Sequence, residues 1–232
     1  QEVELAGAPT VVGRTGYTGE DGVELFFSED YAETVWNHIL STAKKFQIEL
    51  TPAGLAARDS LRFEPGFALY GHELSRNVTP VEARLTWSCT MDGTFVGSDA
   101  LRARKADGGE ERLVTFVMDD RGVPREGYQV YDGEGELVGR VVTGMYAPTV
   151  DAYAGNAFVS RGLTKSGSEL FIEIRGSRKR AHVAKRPLYR PSYRELSGGA
   201  EELPDAPPFS ERHIGPGAQQ EREMLQFLGY EN

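Results

Sequence analysis

Cysteine is almost absent from this 232-residue sequence, and its scarcity excludes several kinds of site at once. Cys89 is the only cysteine, so the chain forms no intrachain disulfide and holds no cysteine-rich metal centre. The four histidines are scattered, and no two have the spacing typical of metal ligands. Because the first residues also lack the pattern of a secretory signal, we expect a reducing compartment, either the cytoplasm or, in a eukaryote, the mitochondrial matrix.

Long apolar runs and an excess of basic residues are missing as well. No apolar stretch approaches the roughly 20 residues that a membrane-spanning helix needs, so we expect no membrane contact. The formal net charge of −9 argues against a general nucleic-acid binder. The sequence also contains no GxxxxGK[ST], GxGxxG or GxSxG motif, so the common nucleotide-binding and hydrolase classes have no support.

Strand and helix signals alternate over roughly the first hundred residues. The β-rich runs TVVGRT and GVELFF, within residues 10–27, predict two strands around a tight glycine-rich turn. Val35, Ile39 and Ala43 then repeat at helical spacing. Predicted helix starts are marked by the capping signals Ser28, Thr51-Pro52, Thr79-Pro80 and Ser98.

Beyond the polar stretch RKADGGEE (104–111), the sequence consists of short apolar and β-branched runs separated by turn signals. Strands at this spacing predict an all-β barrel or sandwich. After Arg194 the sequence becomes rich in glycine, proline and acidic residues, which is typical of a linker. We therefore divide the chain into four segments: 1–104, 105–194, a linker at 195–208 and a short helical tail at 209–232.

Two residues around the glycine turn are candidates for a ligand site. Glu24 alternates with Val23 and Leu25, so periodicity alone places it on a solvent face, but its carboxylate could also accept paired N–H bonds from a planar heterocycle. Tyr17 lies between small neighbours and is either an exposed turn residue or a group that stacks on a ligand.

Basic residues supply the other candidates. Arg58 and Arg62 are four residues apart and share a helical face. Arg62 could form a surface ion pair with Asp59, or either arginine could clamp a carboxylate. The strongly basic segment 175–194 is either a solvated strand with its exit or a patch for an acidic partner or an anionic ligand tail.

Three motifs in fixed order carry a specific resemblance. RTGYTGEDGVEL (14–25), TPAGLAARDSLRFEPGFALYGHEL (51–74) and TPVEARLTW (79–87) resemble the aminomethyltransferases of the glycine cleavage system, the T-protein family. The likeness continues to about Tyr193. It implies an α+β fold, with the remainder of the folate-binding lobes followed by a C-terminal antiparallel β-barrel.

The resemblance also implies a function and a site. Members of this family transfer a one-carbon unit from the aminomethyl-lipoyl arm of H protein to tetrahydrofolate and release ammonia. Glu24 matches the carboxylate that holds the pterin, Tyr17 a tyrosine that lines the folate site, and Arg58 an arginine of the cleft. We add three further candidates for folate contact: Arg62, Tyr70 and Arg190.

The sequence departs from the family pattern at both ends. The family aspartate that assists the folate nitrogen lies before the first motif, so we assign no catalytic residue here and expect an incomplete C-terminal portion, inactive in isolation. FSERHIGPGAQQEREMLQFLGY, at 209–230, resembles the start of P protein (glycine decarboxylase), which suggests a fusion or adjacent genes. Two alternatives stay open: a folate-binding module of a dimethylglycine- or sarcosine-type demethylating enzyme, and a non-catalytic folate-binding protein.

Overall fold

The computed structural model describes residues 1–191, which begin with a small antiparallel sheet and three helices. The sheet has the order β1-β2-β3, with β1 at Glu2–Leu5, β2 at Ala8–Gly13 and β3 at Glu24–Phe26. The helices are α1 (Ala32–Lys45), α2 (Leu55–Phe63) and α3 (Ser98–Asp107). Single 3₁₀ turns lie at Glu29–Tyr31, Thr86–Ser88 and Arg161–Leu163.

The following six strands close into an antiparallel barrel. They are β4 (Glu111–Met118), β5 (Gln129–Tyr131), β6 (Leu137–Ala147), β7 (Ala152–Ser160), β8 (Glu169–Ile174) and β9 (Ser177–Val183). Around the barrel the order is β4-β7-β6-β5-β8-β9. The predicted α+β class with a C-terminal antiparallel barrel is therefore confirmed. The strand spacing allowed a barrel or a sandwich, and the structure has the barrel.

The barrel encloses the largest apolar core of the described residues. Alternate side chains of its strands point inward, as the period of two along a strand requires. Phe116, Val130, Leu170 and Ile172 are all fully buried in this core. Closure also leaves none of the six strands with an open edge.

Helix α2 joins the N-terminal elements to the outside of this barrel. Phe63, in its last turn, is buried against Ala147 and Ala154 of β6 and β7. The next residue, Glu64, accepts the backbone N–H of Thr149 at 2.8 Å through its side chain and that of Leu188 at 2.9 Å through its carbonyl. The barrel therefore fixes where α2 ends.

Several local predictions from sequence need correction. The predicted tight turn after β2 is wrong: residues 14–23 form an extended loop before β3 begins. Helix α2 begins at Leu55 rather than at Thr51-Pro52, with Gly54 as its N-cap. Thr79-Pro80 opens a single turn and no α-helix, although the Thr79 hydroxyl does accept the Val81 N–H at 3.1 Å.

The cap predictions were also too simple. Ser28 precedes a 3₁₀ turn, and its hydroxyl bonds the Asp30 carboxylate instead of a backbone N–H. The helix over 98–107 has Gly97 as its N-cap. Helix α1 nevertheless lies where the periodicity placed it, with Val35 and Ala43 buried.

The predicted linker and helical tail, 195–208 and 209–232, lie outside the described residues. The division at residue 104 stays a prediction, since residues 1–191 form one compact unit in which α3 runs to Asp107. Within that unit every helix is too short or too polar to cross a bilayer.

Candidate functional site

The glycine-rich loop over residues 14–23 is seated on the turn that follows α2. Gly19 has a φ of +75°, and a Cβ at this position would lie 2.6 Å from Cβ of Pro65. Only glycine combines this left-handed backbone with so close an approach. The close packing of Gly19 on Pro65 brings Tyr17 beside the residues that follow α2.

Tyr17 is half-buried in this contact and is held by several groups. Its ring stacks on Phe67 with centroids 5.6 Å apart and planes 15° from parallel. Its hydroxyl donates a hydrogen bond to the Ala68 carbonyl. Burial raises the pKa of the Tyr17 phenol; Arg62 and Arg58 oppose this with smaller effects, and the charge of Glu73 adds to it. Tyr17 is therefore a fixed aromatic platform rather than a free turn residue.

Arg58 completes this platform from α2. Its Cζ lies 4.7 Å from the Tyr17 ring centroid, which is cation–π geometry. The residue is exposed, and its guanidinium makes no hydrogen bond or ion pair with residues 1–191. The Arg58 fork is thus oriented by an aromatic ring while its N–H donors stay available to an anion.

Arg62, one turn further along α2, has a different environment. It is fully buried, and its Nε donates to Asp59 at 2.7 Å while Nη1 donates to Glu73 at 2.9 Å. The predicted ion pair with Asp59 therefore forms, but it is not a simple surface pair, because the Arg62 guanidinium is inside the protein. The N–H donors of Arg62 are therefore used in hydrogen bonds within the protein.

Glu73 is the centre of this buried network. It is fully buried, and its carboxylate accepts from Thr143 Oγ1 at 2.6 Å and Asn156 Nδ2 at 2.8 Å, both on barrel strands. Although burial alone would raise the pKa of Glu73, the hydrogen bonds from Asn156 and Thr143 and the charge of Arg62 together lower it. Glu73 is therefore held as a carboxylate.

Glu24 lies at the start of β3, opposite Gly13 of β2. It is exposed, and one carboxylate oxygen accepts a hydrogen bond from the Thr15 hydroxyl. The other oxygen has no partner among residues 1–191. The structure thus joins Tyr17 and Arg58 directly, and it leaves Glu24 as a separate acceptor on the strand that follows the same loop.

Tyr70 and Arg190 are both exposed, Tyr70 at 67% of its surface. Within residues 1–191, no hydrogen bond, ion pair or ring contact joins either residue to Tyr17, Arg58 or Glu24. Arg186, which the sequence did not single out, is nearer: its guanidinium donates to the Gly66 carbonyl beside Phe67. Burial lowers the pKa of Arg186.

A second feature, a basic cavity of about 460 Å³, lies at one end of the barrel. Its cationic lining comes from two separate turns: Arg121 and Arg125 after β4, and Arg175 and Lys179 around the β8–β9 turn. None of these four makes an ion pair with residues 1–191. The prediction for segment 175–194 covered half of this group. The pair in DRGVPR (120–125) was missed, although two arginines in a glycine- and proline-containing loop are a visible signal.

Comparison with known protein families defines the class of protein. Residues 1–93 match the family described as the GCVT N-terminal domain, and residues 111–190 match the glycine cleavage T-protein C-terminal barrel domain. Over these residues the chain belongs to the glycine cleavage T-protein family, as the three motifs suggested.

Individual relatives agree with this assignment. The aminomethyltransferase of Herpetosiphon aurantiacus is 44% identical over 192 residues, which are 82% of this chain and 52% of that protein. A probable aminomethyltransferase of Pyrococcus abyssi is 40% identical, with the same coverage of each chain. The crystal structure of glycine cleavage system aminomethyltransferase T from Bartonella henselae matches with a TM-score of 0.71 and 30% identity, covering 77% of this chain and 49% of that one. The chain thus spans about half the length of the relatives it matches.

Proposed function

We propose that this chain is the C-terminal portion of an aminomethyltransferase, which moves a one-carbon unit from aminomethyl-lipoyl H protein to tetrahydrofolate and releases ammonia. The observation that carries the proposal is the match to both T-protein domains in their expected order, at 1–93 and 111–190. The relatives named aminomethyltransferase, at 38% to 44% identity, support the same reaction.

The chemistry of the described residues fits tetrahydrofolate. The 2-amino-4-oxo edge of a pterin presents paired N–H donors, which suit the exposed Glu24 carboxylate and its unpartnered oxygen. The glutamate tail of the folate is anionic and suits the available fork of Arg58. Tyr17, fixed by Phe67 and Ala68, would supply an aromatic wall.

The further candidates have smaller roles in this proposal. Tyr70 and Arg190 are exposed and could contact the folate tail. Arg62 is buried, bonds Glu73 and supports the site through the Phe67 carbonyl without contacting the ligand. The resemblance assigns no aspartate of this chain to proton transfer. The contribution of residues 1–191 is therefore to bind and orient the folate.

We further propose that the basic barrel cavity receives acidic H protein. Arg121, Arg125, Arg175 and Lys179 converge there in a chain of net charge −9, so the cavity contrasts with the rest of the surface. Such local contrast steers association and selects an acidic partner. The suggested kinship of the tail at 209–232 with P protein rests on the RHIGP-containing sequence alone.

The decisive experiment uses the protein expressed at the full length of its gene. Aminomethyl-lipoyl H protein and tetrahydrofolate are supplied, and ammonia and 5,10-methylene-tetrahydrofolate are measured together. Equal formation of both products supports the transferase. Tetrahydrofolate binding without turnover favours the non-catalytic folate protein, and turnover of dimethylglycine or sarcosine favours the demethylating alternative. Absence of folate binding contradicts all three.

A further inference from the structure

The loop that carries Phe67 and Ala68 is fixed by two buried charged side chains. Arg62 Nη1 donates to the Phe67 carbonyl at 3.2 Å, and Glu73 Oε2 accepts the Leu69 N–H at 3.0 Å. Arg62 and Glu73 also bond each other at 2.9 Å. The backbone is therefore held on both sides of Ala68.

Those two residues are the ones that hold Tyr17. Phe67 supplies the stacked ring, and Ala68 supplies the carbonyl that accepts the Tyr17 hydroxyl. The Arg58 guanidinium lies over the Tyr17 ring, and Arg58 is one helical turn before Arg62 on α2. Any shift of the loop thus moves Tyr17 relative to Arg58.

Glu73 is in turn anchored to the barrel. Its Oε1 accepts from Thr143 of β6 and Asn156 of β7, and Thr115 of β4 donates to Asn156 at 2.7 Å. Thr143 lies at the register shift of β6, between Val141 and Thr143. A carboxylate that takes four donors from three parts of the fold leaves its loop little freedom.

We propose that Glu73 is a positioning residue, which fixes the Phe67–Leu69 backbone and thereby sets Tyr17 against Arg58 for ligand binding. Glu73 itself is fully buried and acts through its neighbours. The inference rests on the proposed function only for the identity of the ligand, tetrahydrofolate. The coupling of Glu73 to Tyr17 stands on the geometry.

Glu73→Gln is the informative change because it keeps the shape of the side chain. An amide offers one acceptor oxygen and two N–H donors to a pocket that presents four donors, so part of the network is left unpaired. Thr143→Val is a milder second variant, which removes one hydroxyl and leaves both charges in place. Thr115→Val is the matched control, since it breaks a buried bond at the end of the network without touching Glu73 or Arg62.

The first measurement needs no ligand. 3-Fluorotyrosine is placed at position 17 in the gene-length protein, and its ¹⁹F resonance is followed through the titration of the phenol. Loss of the Glu73 charge by itself lowers the pKa of Tyr17, so Glu73→Gln lowers the titration midpoint for two reasons. Thr143→Val keeps that charge, so a lower midpoint in this variant reports release of the loop and exposure of Tyr17 to solvent. The midpoint stays at the wild-type value in Thr115→Val. If Thr143→Val titrates like the control, Glu73 has no positioning role.

The second measurement is the dissociation constant of tetrahydrofolate for the same proteins. We expect it to rise at least tenfold in Glu73→Gln, to rise less in Thr143→Val and to be unchanged in Thr115→Val. A moved phenol titration with unchanged folate affinity overturns the link from position to binding. A wild-type protein that binds no folate refutes the proposed function instead, while the fluorine titration still decides the coupling. If Glu73→Gln does not fold, Thr143→Val decides both measurements.

Discussion

The Arg58 guanidinium lies over the ring of Tyr17, with Cζ 4.7 Å from the centroid. This contact joins a helix residue to a loop residue 41 positions earlier in the chain and orients a cation that has no ion pair in residues 1–191. A flat guanidinium can stack on the ring and still present its edge donors to a carboxylate. The contact therefore suggests that the Tyr17 ring orients the Arg58 guanidinium to bind an anionic ligand.

Arg58→Lys tests that fork because it keeps the charge and loses the planar geometry. We expect tetrahydrofolate to bind about tenfold more weakly, since one charge-assisted hydrogen bond is worth roughly 1.5 kcal/mol or more. Isothermal titration measures the change. Arg76→Lys, at an exposed arginine whose guanidinium makes no hydrogen bond or ion pair in residues 1–191, is the control and should bind like wild type. Equal affinity of the two variants would remove Arg58 from the site.

Glu24→Ala should weaken tetrahydrofolate binding about 10- to 150-fold while the fold stays intact. The estimate follows from a charge-assisted contact worth roughly 1.5–3 kcal/mol. The fold is spared because Glu24 is exposed and bonds only the Thr15 hydroxyl. Glu134→Ala removes an equal charge from the exposed β5–β6 hairpin and serves as control. Unchanged affinity in Glu24→Ala would contradict the pterin assignment.

Tyr17 predicts a dependence of stability on alkaline pH. Its pKa in the folded state is raised above 10.0 by burial, so the unfolded chain loses the phenol proton first. The stabilisation is therefore complete below pH 10 and is lost as the pH rises through the folded-state pKa. Urea midpoints measured from pH 8 to pH 11 should fall more steeply for wild type than for Tyr17→Phe. Parallel curves would show that the phenol is not held as described.

Gly19→Ala should destabilise the protein by about 2 kcal/mol or more. A left-handed conformation costs a residue with a Cβ roughly 1–2 kcal/mol, and here the added carbon also meets Pro65. Gly16→Ala is a control in the same loop, because a Cβ there meets nothing within 4 Å. Urea denaturation compares the two. A Gly19→Ala protein as stable as Gly16→Ala would mean that the loop is not seated on Pro65.

Reversal of charge in the basic barrel cavity should weaken the docking of H protein. We expect Arg121→Glu and Arg125→Glu each to slow association several-fold at low salt, with the difference shrinking as ionic strength rises. Lys165→Glu, at an exposed position of the same barrel outside the cavity, controls for net charge. Surface plasmon resonance with lipoylated H protein gives the rates. If all three variants associate alike, the cavity is not the docking surface.

The sequence predicted the general fold because its signals there are local. Short apolar and β-branched runs between turn signals mark the strands β4 to β9, and the helical repeat of Val35 and Ala43 indicates which face of α1 is buried. The extended loop after Gly13 was missed because glycine content marks a turn but does not measure its length. The start of α2 was misplaced because Thr51-Pro52 is a cap signal without the packing that would extend the helix to it.

The candidate site was only partly visible for a related reason. Tyr17 and Arg58 were identified by resemblance, but no spacing rule states that one lies over the other. Arg62 and Arg58 are equivalent in helical phase, and only the tertiary fold determines that Arg62 is buried beside Glu73 while Arg58 is exposed. Glu73 itself gave no signal, since a single acidic residue near a loop is ordinarily exposed.

The hydrogen bonds from Thr143 and Asn156 to Glu73 also bear on modularity. The two regions match separate domain families, but both bond the buried carboxylate of Glu73. Neither region is therefore an independent folding unit. A cut in the glycine-containing connection at 108–110 would leave Arg62 paired with the Glu73 carboxylate, which would have lost its hydrogen bonds to the barrel. Domain exchange within this family should therefore succeed only when the acceptor barrel brings a hydroxyl and an amide to the strand positions of Thr143 and Asn156.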